Sequence, residues 1–111
     1  MSKMDSVFVV LGCDGEITTH PTEKESLKQL QRLVGGHIEG IYIPDHIVIE
    51  NLRPRHSMSI YANEEGILRS LPANPFIKGF VGNLVVCLTT TGGNSVGLNS
   101  SEVLLLKNKL N

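Results

Sequence analysis

The spacing of the apolar segments constrains this chain more than any other feature. Strand-like runs at residues 7–11, 41–43, 47–50, 58–62 and 84–88 are mostly separated by short stretches of turn chemistry. A parallel pair needs a crossover of about a dozen residues or more, usually a helix. Most of these gaps are too short for that, so the expected sheet is mainly antiparallel.

Val7-Phe8-Val9-Val10-Leu11 is rich in β-branched and aromatic side chains and stops at Gly12, the pattern of a buried strand. Asp14-Gly15 readily supplies the positive φ angles of a tight two-residue reversal, so residues 16–19 are expected to return beside it. Thr22 and Glu25 are spaced as a capping box opening a helix. Its apolar stripe is Leu27, Leu30, Leu33 and Val34, and Gly35-Gly36 closes it. Residues 37–50 read as a second hairpin turning at Pro44-Asp45-His46. Residues 52–57 carry Pro54, which has no amide hydrogen for a ladder, and form a surface loop. A strand then resumes with Met58, Ile60 and Ala62 on one face and Tyr61 on the other. Asn63-Glu64-Glu65-Gly66 is a turn in which Asn63 bonds its own downstream backbone and Gly66 takes a positive φ, with Ile67-Leu68 returning as a short strand. Pro72 and Pro75 limit residues 76–80 to a helical turn at most, and Gly82 releases the chain into the strand at 84–88. A polar loop rich in Thr and Gly spans residues 89–97. Asn99 then caps a final helix, with Glu102 at the capping-box position and Val103, Leu106 and Leu110 facing the sheet. The expected fold is α+β, a mostly antiparallel sheet of about five to seven strands with two packed helices.

With 111 residues, the chain has room for a single domain, residues 1–111, with residues 1–5 as a loose N-terminal tail. Ten Lys plus Arg oppose eleven Asp plus Glu, a formal net charge of −1. No global field would draw such a chain to nucleic acid or an anionic membrane, and neither is expected as a partner. The longest apolar run is far short of the roughly 20 residues of a membrane span, and the start does not resemble a signal peptide, so a cytoplasmic protein is expected. Cys13 and Cys87 sit far apart in apolar stretches and read as free thiols of a reducing compartment.

Reactive groups are dispersed. His20, His37, His46 and His56 lack the i, i+4 pairing or the Cys partner of a zinc set, and neither a metal nor a cofactor is expected. A Gly-x-Ser-x-Gly nucleophile elbow is absent from the sequence. The adjacent Glu64 and Glu65 sit on a turn, where carboxylates are usually solvated. Thr91-Gly92-Gly93-Asn94-Ser95 could present backbone amides to a phosphate, or simply be a flexible hairpin loop. Arg53, Arg55 and His56 form the one compact cationic cluster. Two guanidiniums on a Pro-stiffened loop can hold a phosphate, although such a loop can equally be a solubilising surface. Tyr42, Tyr61 and Phe76 are stacking candidates whose alternative fate is core packing.

Four segments in order carry a family likeness: Leu33-Val34-Gly35-Gly36-His37-Ile38-Glu39, Asn63-Glu64-Glu65-Gly66, Leu71-Pro72-Ala73-Asn74 and Gly82-Asn83-Leu84-Val85-Val86. In them the chain resembles the small domain of unknown function catalogued as family 3846, found chiefly in phages, algal viruses and bacterial mobile elements. The resemblance implies a small accessory protein of viral or mobile-element context, in the host cytoplasm if viral, and brings no catalytic residues. The first expectation is a non-enzymatic, homo-oligomeric protein that sequesters a small anionic, nucleotide-like ligand such as a host immune signal. Its binding residues would be Arg53, Arg55, His56, Tyr61, Asn63, Glu64, Asn74, Gly92, Gly93 and Asn94, with Asn74 either building the site or tying down a turn. The alternative is a protein-interaction module that docks on a host or virion protein through a strand edge or the turn at residues 63–66. A third possibility is a hydrolase using Glu64 or Glu65 on a nucleotide signal.

Overall fold

The structure is a computed structural model that describes residues 6–110; the tail expected at residues 1–5 lies outside them. The strands are β1 (Val7–Leu11), β2 (Ile17–Pro21), β3 (Ile38–Gly40), β4 (His56–Asn63), β5 (Leu84–Thr90) and β6 (Ser95–Val96), and the helices are α1 (Ser26–Val34) and α2 (Ser100–Leu110). Every strand pairing is antiparallel, in the order β2-β1-β5-β4-β3, with β6 lying against the end of β5. The expected α+β architecture is the one observed.

Strand β5 lies inside the sheet and is covered on both faces, which is why it reads as a continuous apolar run rather than an alternating one. Leu84, Val86 and Leu88 join Val9, Leu11 and Ile60 in one core, closed by Leu106 of α2 and by Ile47, Ile49, Ile77 and Leu98. Val85 and Cys87 face the other way, with Phe8 and Val10, and are covered by Leu30 and Val34 of α1. Each fully buried side chain of this size contributes about 1.5–3 kcal/mol. Cys13 and Cys87 are both free thiols. Burial pushes the Cys87 thiol up to about 12, with a Ser95 hydrogen bond opposing the shift.

Local chemistry explains most element ends. Between β1 and β2, Gly12 N–H donates to Glu16 O at 2.8 Å and Gly15 adopts φ 89°, so the Asp14-Gly15 reversal forms with a longer loop than two residues. Gly35, at φ 84°, ends α1 with its N–H on Gln31 O. At α2 the capping box is reciprocal, with Asn99 N–H on Glu102 Oε1 at 2.8 Å and Glu102 N–H on Asn99 Oδ1 at 2.9 Å.

Four expectations are corrected. Thr22 and Glu25 form no capping box; α1 starts at Ser26 without a side-chain cap on its preceding residue. The buried Gln29 instead ties the helix to the segment that leads into it, accepting from Glu23 N–H at 2.8 Å and donating to Pro21 O at 2.9 Å. It takes the inward position, which leaves Leu27 exposed. Residues 37–50 are not a hairpin: Ile38–Gly40 pairs with β4 instead, and a 3-10 turn at Asp45–Ile47 sends Ile47 and Ile49 down into the α2-side core, because burial there outweighs strand pairing for so short a segment. Ile67 and Leu68 are not a strand but part of a turn that continues from Glu64 to Ser70. Gly66 is required for closeness rather than for a positive φ: a β-carbon there would lie 2.8 Å from Val81 Cγ2.

Candidate binding groove

The four family-like segments meet in space as structural ties. Asn63, buried at the end of β4, donates from Nδ2 to Val34 O at 3.2 Å and accepts the Glu65 amide at 2.8 Å. A β-carbon on Gly36 would come within 2.9 Å of that Nδ2, so the second glycine of Gly35-Gly36 makes room for this bond. Asn74 is also buried; its Nδ2 reaches Leu11 O at 2.9 Å and Gly82 O at 2.8 Å, and its Oδ1 accepts Phe76 N–H. Asn83 accepts the Cys13 amide and fixes the β1–β2 turn to the start of β5. Sequence reasoning missed the roles of Asn83 and Gln29; Asn83 adjoins the apolar run at 84–88, a signal that could have been read, whereas Gln29 lies in a polar stretch of the helix and becomes buried only once the helix packs.

The cationic cluster is divided. Arg53 turns inward and donates from Nε and Nη2 to the Glu102 carboxylate, each at 3.1 Å, and from Nη2 to Gly97 O at 2.8 Å. A phosphate clamp made of Arg53 and Arg55 would require this guanidinium to leave Glu102. Arg55 sits at a bend with φ 64°. With His56, Ser57 and Thr89 to Thr91 it lines a shallow concavity of about 200 Å³. His56 Nδ1 lies 2.9 Å from Pro54 O. Gly92, Gly93 and Asn94 form the tip of the β5–β6 hairpin, where the amides of Gly93 and Asn94 already donate to Thr90.

Asn63 and Glu64 lie at the other end of β4, about 23 Å from His56 at roughly 3.3 Å per residue. The structure therefore does not bring the expected ligand-binding residues together. Tyr61 is half-buried between them, packed like Leu33 and Ile38 against the α1-side core, and Asn74 is embedded in its own clamp.

Around Asn63 and Glu64 the chain encloses a larger groove of about 400 Å³. Glu39, Gly40 and Ile41 form one wall, Gly66, Ile67 and Leu68 a second, and Gly79, Phe80 and Val81 a third. Tyr42, Ile67 and Leu68, all on its rim, are 78%, 79% and 86% exposed. Their exposure is built in. The turn is tied by Gly66 N–H to Asn63 O, Arg69 N–H to Glu65 O and Leu71 N–H to Gly66 O, and Arg69 Nη1 donates to Gly35 O at the end of α1. The ionisable side chains of the lining are Glu39, Glu64 and Tyr42. Such a surface offers apolar area and negative charge to whatever fills it.

No helix among the described residues is long and apolar enough to cross a membrane. The model of a protein family described as a domain of unknown function, DUF3846, matches residues 7–111. No curated protein and no solved structure matches the chain.

Proposed function

We propose, from the premise that the chain belongs to the domain-of-unknown-function family DUF3846, that it is a non-catalytic interaction module whose β3-edge groove holds a segment of a partner protein in the cytoplasm. The observation that carries this reading is the ring of Tyr42, Ile67 and Leu68, exposed by 78%, 79% and 86% around a concave groove. Large apolar side chains clustered on a rigid rim mark an interaction surface more often than scattered ones do. Covering all three would return about 1.5–3 kcal/mol each before the cost of association, which suits a weak, reversible contact. The two free thiols support a reducing setting.

Selection of a displayed random-peptide library on the full chain tests the reading. Related apolar-containing sequences should be enriched on the wild type and lost on an Ile67→Asp/Leu68→Asp variant. Both positions are exposed, so that variant should keep its fold to within about 1 kcal/mol. Enrichment that is indifferent to the double substitution, or no enrichment at all, would remove the groove as a binding surface.

A smaller anionic ligand, including a nucleotide-like one, has support at the opposite end of β4, where Arg55, His56 and the threonine hydroxyls share one concavity. Its volume of about 200 Å³ is below the roughly 300–1,000 Å³ usual for small-molecule sites, so the protein-docking reading ranks first. A thermal-shift panel of cyclic and ADP-ribose-type nucleotides on wild type and Arg55→Ala decides it: absence of any Arg55-dependent shift eliminates this second reading.

A further inference from the structure

We infer that the partner segment joins the sheet as an added strand along β3 and carries a Lys or Arg two residues from an apolar side chain. This rests on the docking reading above and specifies its geometry. Strand β3 ends the sheet, so one of its edges has no neighbour among the described strands. Glu64 N–H donates to His37 O at 2.8 Å and Ile41 N–H to Ile60 O at 3.0 Å. Those two bonds set the phase of the ladder. Residues 37, 39 and 41 turn their backbone groups toward β4, and Ile38 and Gly40 turn theirs outward, ready to pair with an incoming backbone.

The same phase sorts the side chains. Glu39 pairs with Ala62, and Glu39, Ile41 and Ala62 share the groove face. Because His37 is bonded to Glu64, Glu39 and Glu64 are diagonal neighbours on that face, about 7–8 Å apart by strand geometry. The ion pairs among the described residues are Lys28–Glu25, Arg32–Glu23 and Arg53–Glu102, and none includes Glu39 or Glu64. On an added strand, the residue opposite Glu39 therefore meets two uncompensated carboxylates. The residue two further on, opposite Ile41, points toward Ile67, Leu68 and Phe80. Between them, a residue opposite Gly40 lies over the Tyr61 ring, which is 3.8 Å from where a β-carbon at position 40 would stand.

Charge selects the occupant. A second copy that used Ile38 and Gly40 of both chains would set Glu39 against Glu39, a like-charge pair that destabilises a strand pairing. A basic residue at that position does the opposite.

The probes are a fluorescein-labelled octapeptide, Thr-Val-Thr-Lys-Thr-Leu-Thr-Ser, its reversed sequence, and versions of both with Glu in place of Lys, read by fluorescence anisotropy. Gly40→Pro is the decisive variant. It removes only an outward N–H, proline is tolerated on edge strands, and the melting temperature should therefore hold. At least one lysine peptide should bind the wild type, weaken by about tenfold on Gly40→Pro, and weaken by about tenfold when its Lys becomes Glu. A Glu39→Gln/Glu64→Gln variant should abolish that Lys-to-Glu difference. Unchanged binding to Gly40→Pro together with loss on Ile67→Asp/Leu68→Asp would overturn the added strand while leaving the groove reading intact. Binding indifferent to both variants would overturn both. Failure of both lysine peptides on the wild type overturns this inference, and if ultracentrifugation then shows a dimer that Gly40→Pro dissociates, the occupant is a second copy.

Discussion

Replacing Arg53 with methionine isolates the contribution of its guanidinium, because a linear stem is retained while the charge and the donors are lost. In the folded chain Glu102 is 3% exposed, and its carboxylate receives Arg53 Nε and Nη2 at 3.1 Å each and the Asn99 amide at 2.8 Å. Removing one member of a buried pair leaves an uncompensated charge and costs about 3–5 kcal/mol. Two features lower that figure here. The arginine side chain is 40% exposed, so water can follow it out. The Asn99 amide and the start of α2 still favour a carboxylate, by about 0.5–1 kcal/mol. The expected loss is about 2–3 kcal/mol, or a melting temperature lower by about 10 °C for a chain of this size.

Urea unfolding followed by far-ultraviolet circular dichroism measures it. An Arg53→Met/Glu102→Gln double variant should lose less than the sum of the two single variants, by about 1–2 kcal/mol, because the second change removes the stranded charge. A loss below about 0.5 kcal/mol with additive single effects would refute the reasoning. The ion pair would then behave as a surface contact, and Arg53 would be available to a phosphate as its position beside Arg55 first suggests.

Three further substitutions probe the ties and the core. Asn74→Ala removes two donations to buried carbonyls and the acceptor for Phe76 N–H, so unfolding free energy should drop by about 3 kcal/mol, and a drop under about 1 kcal/mol would show that water replaces the clamp. Gly36→Ala pushes a β-carbon to 2.9 Å from Asn63 Nδ2; calorimetry should show a loss of about 1–3 kcal/mol, and a neutral result would mean that the turn yields freely. The Cys87 thiol lies at about 12 in the folded chain against 9.0 when free. The native state thus keeps a proton that the unfolded chain releases. The resulting stability is complete below pH 9 and declines as the pH rises from 9 to 12, by up to about 4 kcal/mol. The stability difference between wild type and Cys87→Ala should shrink across that window, and a constant difference contradicts it.

The parts of the fold that could be read from sequence are those where one short-range cause decides. Apolar runs and Gly15 suffice for β1 and β2, and the Asn99–Glu102 spacing gives the α2 cap. The α1 start could not be read this way, because Gln29 competes with Thr22 and Glu25 through a contact that exists only once the helix has packed. Ile47 and Ile49 alternate like a strand, yet that spacing also serves an extended segment with both residues in a core. At the candidate site the loss is of a different kind. Arg53 and Arg55 are close in sequence, and nothing local reveals that one of them belongs to Glu102, 49 residues away. The groove itself is invisible to motif reading, since Tyr42, Ile67 and Leu68 look like core candidates until the turn tied by Asn63 and Arg69 holds them outside.

The two ends of the sheet show how such a surface can persist without causing aggregation. At β2, Pro21 lacks an amide hydrogen, and by the ladder phase that Gly12 and Glu16 set, its missing donor lies on the outward edge. That edge is blunted for any partner. At β3 the protection is selective: the strand is three residues long, it offers outward backbone at Ile38 and Gly40, and it carries Glu39 on the groove face. A carboxylate there opposes pairing with acidic or identical strands and favours a basic one, so one side chain sets both solubility and choice of partner. It follows that Glu39→Thr should do more than weaken a basic peptide. In the self-pairing that sets residue 39 against residue 39, it replaces a like-charge pair with a Thr–Thr pair, removing the repulsion and adding a favourable cross-strand contact. That variant should therefore self-associate at concentrations where the wild type does not, as sedimentation velocity would show, and a Gly40→Pro change added to it should restore the wild-type behaviour.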